Sequence, residues 1–145
     1  MSEIIWAMNS RYDTASDLTG YIRRYASEYL EEHNKTLKFS SAGITHELAM
    51  SGEKRRNLFL VTKEILHNYI KYADSNELQI TVSMNDNILT IEFLEIGNTG
   101  FDWEVAVDKG NGLFNINNRM KNIGGFISQE QSKLGYSTTL TYPYQ

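Results

Sequence analysis

The sequence predicts an α+β fold, a two-layer α/β sandwich in which a mixed, mostly antiparallel sheet is covered on one face by helices. Three observations predict it. Residues 14 to 33 and 53 to 73 repeat apolar side chains at helical spacing. Four later stretches alternate apolar and polar residues with period two. The first two of those stretches are separated only by Asn85-Asp86-Asn87, which is hairpin turn chemistry.

In order, Leu18, Tyr21, Ile22, Tyr25, Tyr29 and Leu30 mark the first helix, with Asp13 as its expected N-cap. A short strand, Thr36 to Ser40, follows. Ser51-Gly52 then precedes a helix from Glu53 to about Ala73 that is apolar over most of its circumference, the mark of a helix buried on two sides. Leu78, Ile80, Val82 and Met84 form one arm of the hairpin; Leu89, Ile91 and Phe93 form the other. A glycine-rich loop from Gly97 to Gly112 leads into a helix from about Leu113 to Asn122. Strands Gly125 to Gln131 and Tyr136 to Tyr142 close the chain.

Bulk properties bound the function. With 145 residues, 41% of them hydrophobic, the chain can bury the core of one domain. It has no cysteine, which excludes disulfides, thiolate metal sites and cysteine nucleophiles. Its net charge is −4 and no basic block occurs, so a nucleic-acid surface is not expected. No apolar run reaches the roughly 18 residues that would span a bilayer, and the N-terminus lacks the pattern of a signal peptide, so no direct membrane contact is expected. The absence of cysteine fits a cytoplasmic setting.

Four groups of residues could carry chemistry. Glu64, Asn68 and Lys71 are spaced i, i+4, i+7 and fall within roughly 60° of one another on the long helix. A carboxylate and a carboxamide on one stripe can hold Mg²⁺ or its waters, and a lysine can meet phosphate. The plainer reading is a solvated helix edge, which also carries Lys63 and His67. Glu95 continues the row Leu89, Ile91, Phe93, so it points with the apolar side chains, where a charge is costly without a partner. Gly97 and Gly100 follow it, giving a backbone that a ligand can approach closely; a simple strand-end turn is the competing reading. Gly110-Asn111-Gly112-Leu113 opens a helix, and free N–H groups at a helix start suit phosphate, although most Gly-x-Gly pairs are only turns. Gly135 and Ser137-Thr138-Thr139 begin the last strand, where hydroxyls can meet a ligand or simply favour the strand.

Taken in order, these groups resemble the GHKL-type (Bergerat) ATP-binding fold shared by histidine kinases, gyrase-like topoisomerases and mismatch-repair ATPases. The resemblance runs over residues 56 to 142 and is nearest to bacterial sensor histidine kinases of two-component systems. The stretch from Arg56 to Asn68 is similar to their N-box, and Lys71-Tyr72-Ala73 to its Lys-His-Ala ending, with Tyr72 in place of the histidine. Gly110-Asn111-Gly112-Leu113, with Asn117 and Arg119 beyond it, resembles the second glycine box; Leu134 to Thr139 resembles the third. The first glycine box departs from the family's Asp-x-Gly-x-Gly. Matching Gly97 makes Glu95 the acid that reads adenine, whereas matching Gly100 and Phe101 puts Ile96 in its place. The period-two pattern favours Glu95.

The resemblance implies ATP and Mg²⁺ as ligands. It assigns the metal to Asn68, a polarising role to Glu64, and the phosphates to backbone N–H groups near Gly110 and Gly112 with Thr138 or Thr139. Lys71, Tyr72, Gly97, Gly100 and Leu113 complete the implied nucleotide site, and Asp102 to Lys109 is the implied lid. Histidines stand only at 33, 46 and 67, none in a phosphoacceptor setting. The acceptor would lie on a histidine-containing dimerisation domain upstream of residue 1, and a response-regulator receiver domain would be the next partner. Residues 1 to 10, with Glu3 to Asn9, resemble the end of that dimerisation hairpin, leaving 11 to 145 as the catalytic domain. Two other readings share the fold: an anti-sigma-factor-type serine kinase, and a degenerate kinase-like module that only binds.

Overall fold

The computed structural model describes residues 14–44, 49–97 and 112–143, with the side chains of the last segment from 115 onward. Within these residues the elements run α1 (Ala15–Glu32), β1 (Thr36–Ala42), α2 (Gly52–Tyr72), β2 (Glu77–Asn85), β3 (Ile88–Ile96), α3 (Gly112–Asn122), β4 (Phe126–Gln131) and β5 (Gly135–Pro143). The strands form one sheet in the order β1-β2-β3-β5-β4. Only β1 and β2 pair parallel, because α2 carries the chain back between them; the other pairs are antiparallel. The expected α+β sandwich with a mixed sheet is therefore what the chain forms.

Helix α1 starts one residue later than expected, and its N-cap is Thr14 rather than Asp13. The Thr14 hydroxyl accepts from the Asp17 N–H at 3.1 Å and donates to the Asp17 carboxylate at 2.7 Å, which satisfies an orphan donor and fixes the cap geometry. Leu18, Ile22, Ala26 and Leu30 then bury one face. Helix α2 is capped by Ser51, whose hydroxyl accepts from the Lys54 N–H. It is buried on two sides: Tyr21 and Tyr25 of α1 meet Phe59 edge-on at 4.9 and 5.3 Å, while Arg119 of α3 bonds Asn57.

The hairpin turn is tighter than the sequence suggested. Asn85 belongs to the strand, and Asp86 and Asn87 alone make the loop with φ of 52° and 62°, as a two-residue I′ turn requires. The register sets Leu78, Ile80, Val82, Leu89, Ile91, Phe93, Glu95, Tyr136, Thr138, Leu140 and Tyr142 on the helix-covered face. The other face carries a polar row, with Thr81, Glu92, Thr139 and Ser128 side by side. One face is core and the other is wet, as expected of an antiparallel sheet.

Among the described residues no helix is long and apolar enough to cross a membrane. The hairpin-end resemblance of residues 1 to 10, the lid at Asp102 to Lys109, and Gly100 and Gly110 lie outside the described residues.

Candidate functional site

The site is built on the open end of the β3–β5 pair and on the facing helix α2. Glu95 is the last inward residue of β3 and is only 2% exposed. Its cross-strand partner on β5 is Tyr136, so Thr138 is its diagonal neighbour on the same inward face. The Thr138 side chain is 0% exposed, and its hydroxyl has no hydrogen-bond partner among the described residues. A buried hydroxyl left unmatched costs about 1–3 kcal/mol, so Thr138 marks a place where the fold keeps polar capacity in reserve. Ile96, the alternative acid position, sits on the outward parity of β3 and is no part of that inward row.

Backbone geometry draws the strands close at this end. Gly97 turns the chain with φ of 77°, and its N–H donates to the Leu134 carbonyl at 2.8 Å. Gly135 has φ of 148°, and a Cβ there would come within 2.0 Å of the Glu95 carbonyl oxygen. Only glycine lets β5 approach β3 so closely, which is the local reason for a glycine at position 135.

Behind Glu95, a polar network closes the end of the core. Tyr69 of α2 is 1% exposed and donates to the Ser75 carbonyl at 3.0 Å. Burial pushes the Tyr69 phenol above its ordinary value; the nearby charges of Glu95 and Glu77 add to that rise, while the bond to Ser75 opposes it.

The stripe on α2 is graded: Glu64 is half-buried, Asn68 is 8% exposed, and Lys71 is exposed with its ammonium 5.5 Å from the Tyr72 ring. Helix α3 runs antiparallel to α2. Arg119, late in α3, donates to the Asn57 side chain at 3.3 Å early in α2. Between the helices lies a cleft of about 230 Å³ lined by Lys63, Glu64, His67, Asn115, Ile116 and Arg119. With that polarity the α3 N-terminus at Gly112 lies toward the Asn68–Lys71 end of α2.

Of the residues singled out from sequence, the structure brings Glu95 and Thr138 together and sets Glu64 in the interhelical cleft. It separates Thr139, which lies on the outer face between Glu92 and Ser128, from Thr138. Thr138 itself lies beside the acid, on the sheet, rather than at the start of α3. His67 is held by its own contacts: its Nε2 lies 3.1 Å from the Tyr25 hydroxyl and its ring 4.9 Å from that of Tyr29. Sequence reading missed Ser75 and Tyr69, whose roles come from tertiary contacts, and the cleft-lining Asn115. The four-residue spacing of Asn115 and Arg119 on one helix face was the signal available for the latter.

No family model matches the chain. The fold is that of histidine kinase catalytic domains. The chain is similar to the histidine kinase domain of the blue-light activated histidine kinase EL346 from Erythrobacter litoralis, with 20% identity and a TM-score of 0.64 over 88% of this chain and 61% of that one. It is similar to the catalytic domain of histidine kinase ThkA, with 17% identity and a TM-score of 0.66 over 90% of this chain and 94% of that one. It is also similar to full-length ShkA in complex with AMPPNP, with 14% identity, a TM-score of 0.65, and 87% and 29% of the two chains covered. The chain thus spans less than two thirds of the EL346 domain and nearly all of the ThkA catalytic domain.

Proposed function

We propose that this chain is the ATP-binding catalytic domain of a sensor histidine kinase, binding Mg-ATP for phosphoryl transfer to a histidine on a separate dimerisation domain. The observation that carries the reading is the buried Glu95 carboxylate beside the Thr138 hydroxyl, which has no partner among the described residues, at a strand end flanked by glycines. A carboxylate accepts hydrogen bonds, and a hydroxyl can donate or accept. Together they match the edge of a purine that carries an amino group next to a ring nitrogen. The complex of ShkA with AMPPNP agrees with a nucleotide on this fold.

Asn68 would supply one oxygen to Mg²⁺, which takes few protein ligands and draws the rest from phosphate and water. The ion would neutralise phosphate charge. Lys71 stands three residues on, near the α3 N-terminus, with Tyr72 beside it; Gly110, Gly112 and Leu113 would offer backbone N–H groups to the phosphates. Glu64, in the cleft between the helices, would hold or accept a proton of the incoming imidazole. Phosphoryl transfer asks chiefly for positioning and charge neutralisation, which this arrangement would supply. Within the reading, residues 1–10 are the end of a dimerisation hairpin, 11–145 the catalytic domain, the setting is cytoplasmic, and a receiver domain of a response regulator takes the phosphoryl group next.

The test is isothermal titration with AMPPNP, with and without Mg²⁺, beside Asn68→Ala and Glu95→Ala. Mg²⁺-dependent binding that is lost in both variants is the expected result. A wild-type chain that takes up no nucleotide would refute the kinase reading and leave a module that only binds protein.

A further inference from the structure

Ser75 lies just past the end of α2, is 4% exposed, and belongs to none of the sequence motifs. Its hydroxyl lies 2.6 Å from the Ile96 carbonyl, 2.8 Å from the Glu77 carbonyl and 3.3 Å from the Glu77 N–H. One hydroxyl proton is shared between the two carbonyls while an oxygen lone pair takes the N–H. The Ser75 backbone carbonyl in turn accepts from Tyr69 on α2 at 3.0 Å and from the Lys35 ammonium at 3.0 Å. That ammonium also bonds the Asn76 side chain and lies 5.9 Å from the Tyr69 ring. One residue therefore joins the end of α2, the start of β2 and the last carbonyl of β3. That carbonyl belongs to the residue between Glu95 and Gly97.

We infer that Ser75 is a positioning residue for the nucleotide site, its hydroxyl clamping the end of β3 so that the Glu95 carboxylate and the Gly97 turn keep a fixed place relative to α2. The inference rests on the ATP reading for its functional consequence, and on geometry alone for the clamp. Opposite Ser75, the Gly97 N–H to Leu134 bond and the close passage of Gly135 fix the same backbone from the β5 side. The Glu95 segment is thus held from both flanks, on the β2 side by the pairing of Glu77 with Ile96 and by the Ser75 hydroxyl on the Ile96 carbonyl. A site that reads a base with a single carboxylate loses affinity when that carboxylate swings by a fraction of an ångström.

The experiment compares wild type, Ser75→Ala, Ser75→Thr and Tyr69→Phe by titration with AMPPNP and with ADP, and by amide hydrogen exchange across residues 95–97 without nucleotide. Ser75→Ala should weaken both nucleotides by the same factor, roughly three- to tenfold, and leave the Mg²⁺ dependence intact. It should also speed exchange at Gly97, and Ser75→Thr should restore both properties. Tyr69→Phe, which loosens only the Ser75 carbonyl, should give a smaller change in the same direction. Ile22→Val, a core change in α1, lowers stability without touching the clamp and should leave affinity unchanged. Wild-type affinity in Ser75→Ala, whatever its melting temperature, would overturn the inference, as would unchanged exchange at Gly97. If wild type binds no nucleotide, the kinase reading fails, and faster exchange in Ser75→Ala would still support the clamp.

Discussion

Replacing Thr138 by valine should make the protein more stable and its nucleotide site weaker. The side chain is fully buried on the inward face of β5, opposite Phe93 on one strand and Gln129 on the other, with Glu95 on the diagonal. Its hydroxyl has no partner among the described residues, so the folded, ligand-free protein carries the desolvation cost of that group, about 1–3 kcal/mol. Valine has nearly the same shape and no hydroxyl to desolvate. Glu95 nearby makes the pocket less favourable to a methyl, so a net gain of about 1 kcal/mol is expected, or roughly 2–4 °C in melting temperature for a chain of this size. If the hydroxyl bonds a bound base, directly or through water, its loss should cost about 0.5–1.5 kcal/mol of affinity, a two- to tenfold rise in Kd. Urea unfolding of both proteins without ligand gives the first number, and calorimetric titration with AMPPNP gives the second. A destabilised Thr138→Val would show that the hydroxyl is satisfied in the free protein. A stabilised variant with unchanged affinity would show that it takes no part in binding.

Glu95→Gln keeps the shape of the side chain and removes its charge, so AMPPNP affinity should fall about ten- to a hundredfold, and an undiminished affinity would remove Glu95 from the base site. Gly135→Ala places a Cβ 2.0 Å from the Glu95 carbonyl oxygen, which forces the β3–β5 pair apart; a loss of about 1–3 kcal/mol in urea unfolding is expected, and an unchanged midpoint would mean the strands part at no cost. Asn68→Ala should abolish the difference between titrations with and without Mg²⁺ while leaving Mg²⁺-free binding near wild type. The raised pKa values of Tyr69 and Tyr29 also give a pH signature, since burial favours the neutral phenol in the folded state. The unfolded chain then loses its phenolic protons first, so stability is fully present below pH 10.0 and declines as pH rises through the folded values. Tyr69→Phe should show a shallower decline above that pH, and an identical slope would mean the phenol is not held neutral.

What the sequence made legible follows from period and punctuation. Helix α2 was readable because its apolar residues recur over 21 positions behind a Ser51 cap, and the hairpin because two period-two runs flank residues that accept positive φ. The parallel pairing of β1 with β2 was not readable, since it depends on where α2 sets the chain down and on no local signal. At the site, the inward direction of Glu95 was legible because it continues the row of Leu89, Ile91 and Phe93. The same parity argument separates Thr138 from Thr139, but only once the register is anchored by Tyr136 opposite Glu95. Ser75 was out of reach. Its hydroxyl meets Ile96, 21 residues away, and nothing in the composition of the Asp74-Ser75-Asn76 turn distinguishes a clamp from a loop.

Burial of a charge does not by itself identify the site, and Arg55 shows why. It is 2% exposed, as deeply buried as Glu95, and lies at the opposite end of α2 from Asn68, about 20 Å away at 1.5 Å per residue. Its Nε donates to the Met50 carbonyl at 3.1 Å, which ties the loop before α2 to the helix that follows. There the guanidinium ties backbone together. At the Glu95 end the surroundings differ in kind. Two glycines keep side-chain bulk away, and the strand end is fixed from both flanks by Ser75 and Leu134. What sets the Glu95 end apart is a buried acid at a strand end flanked by glycines, which is the pattern expected where a fold trades stability for a ligand. The trade is measurable, because Thr138→Val should recover the stability and lose the ligand together.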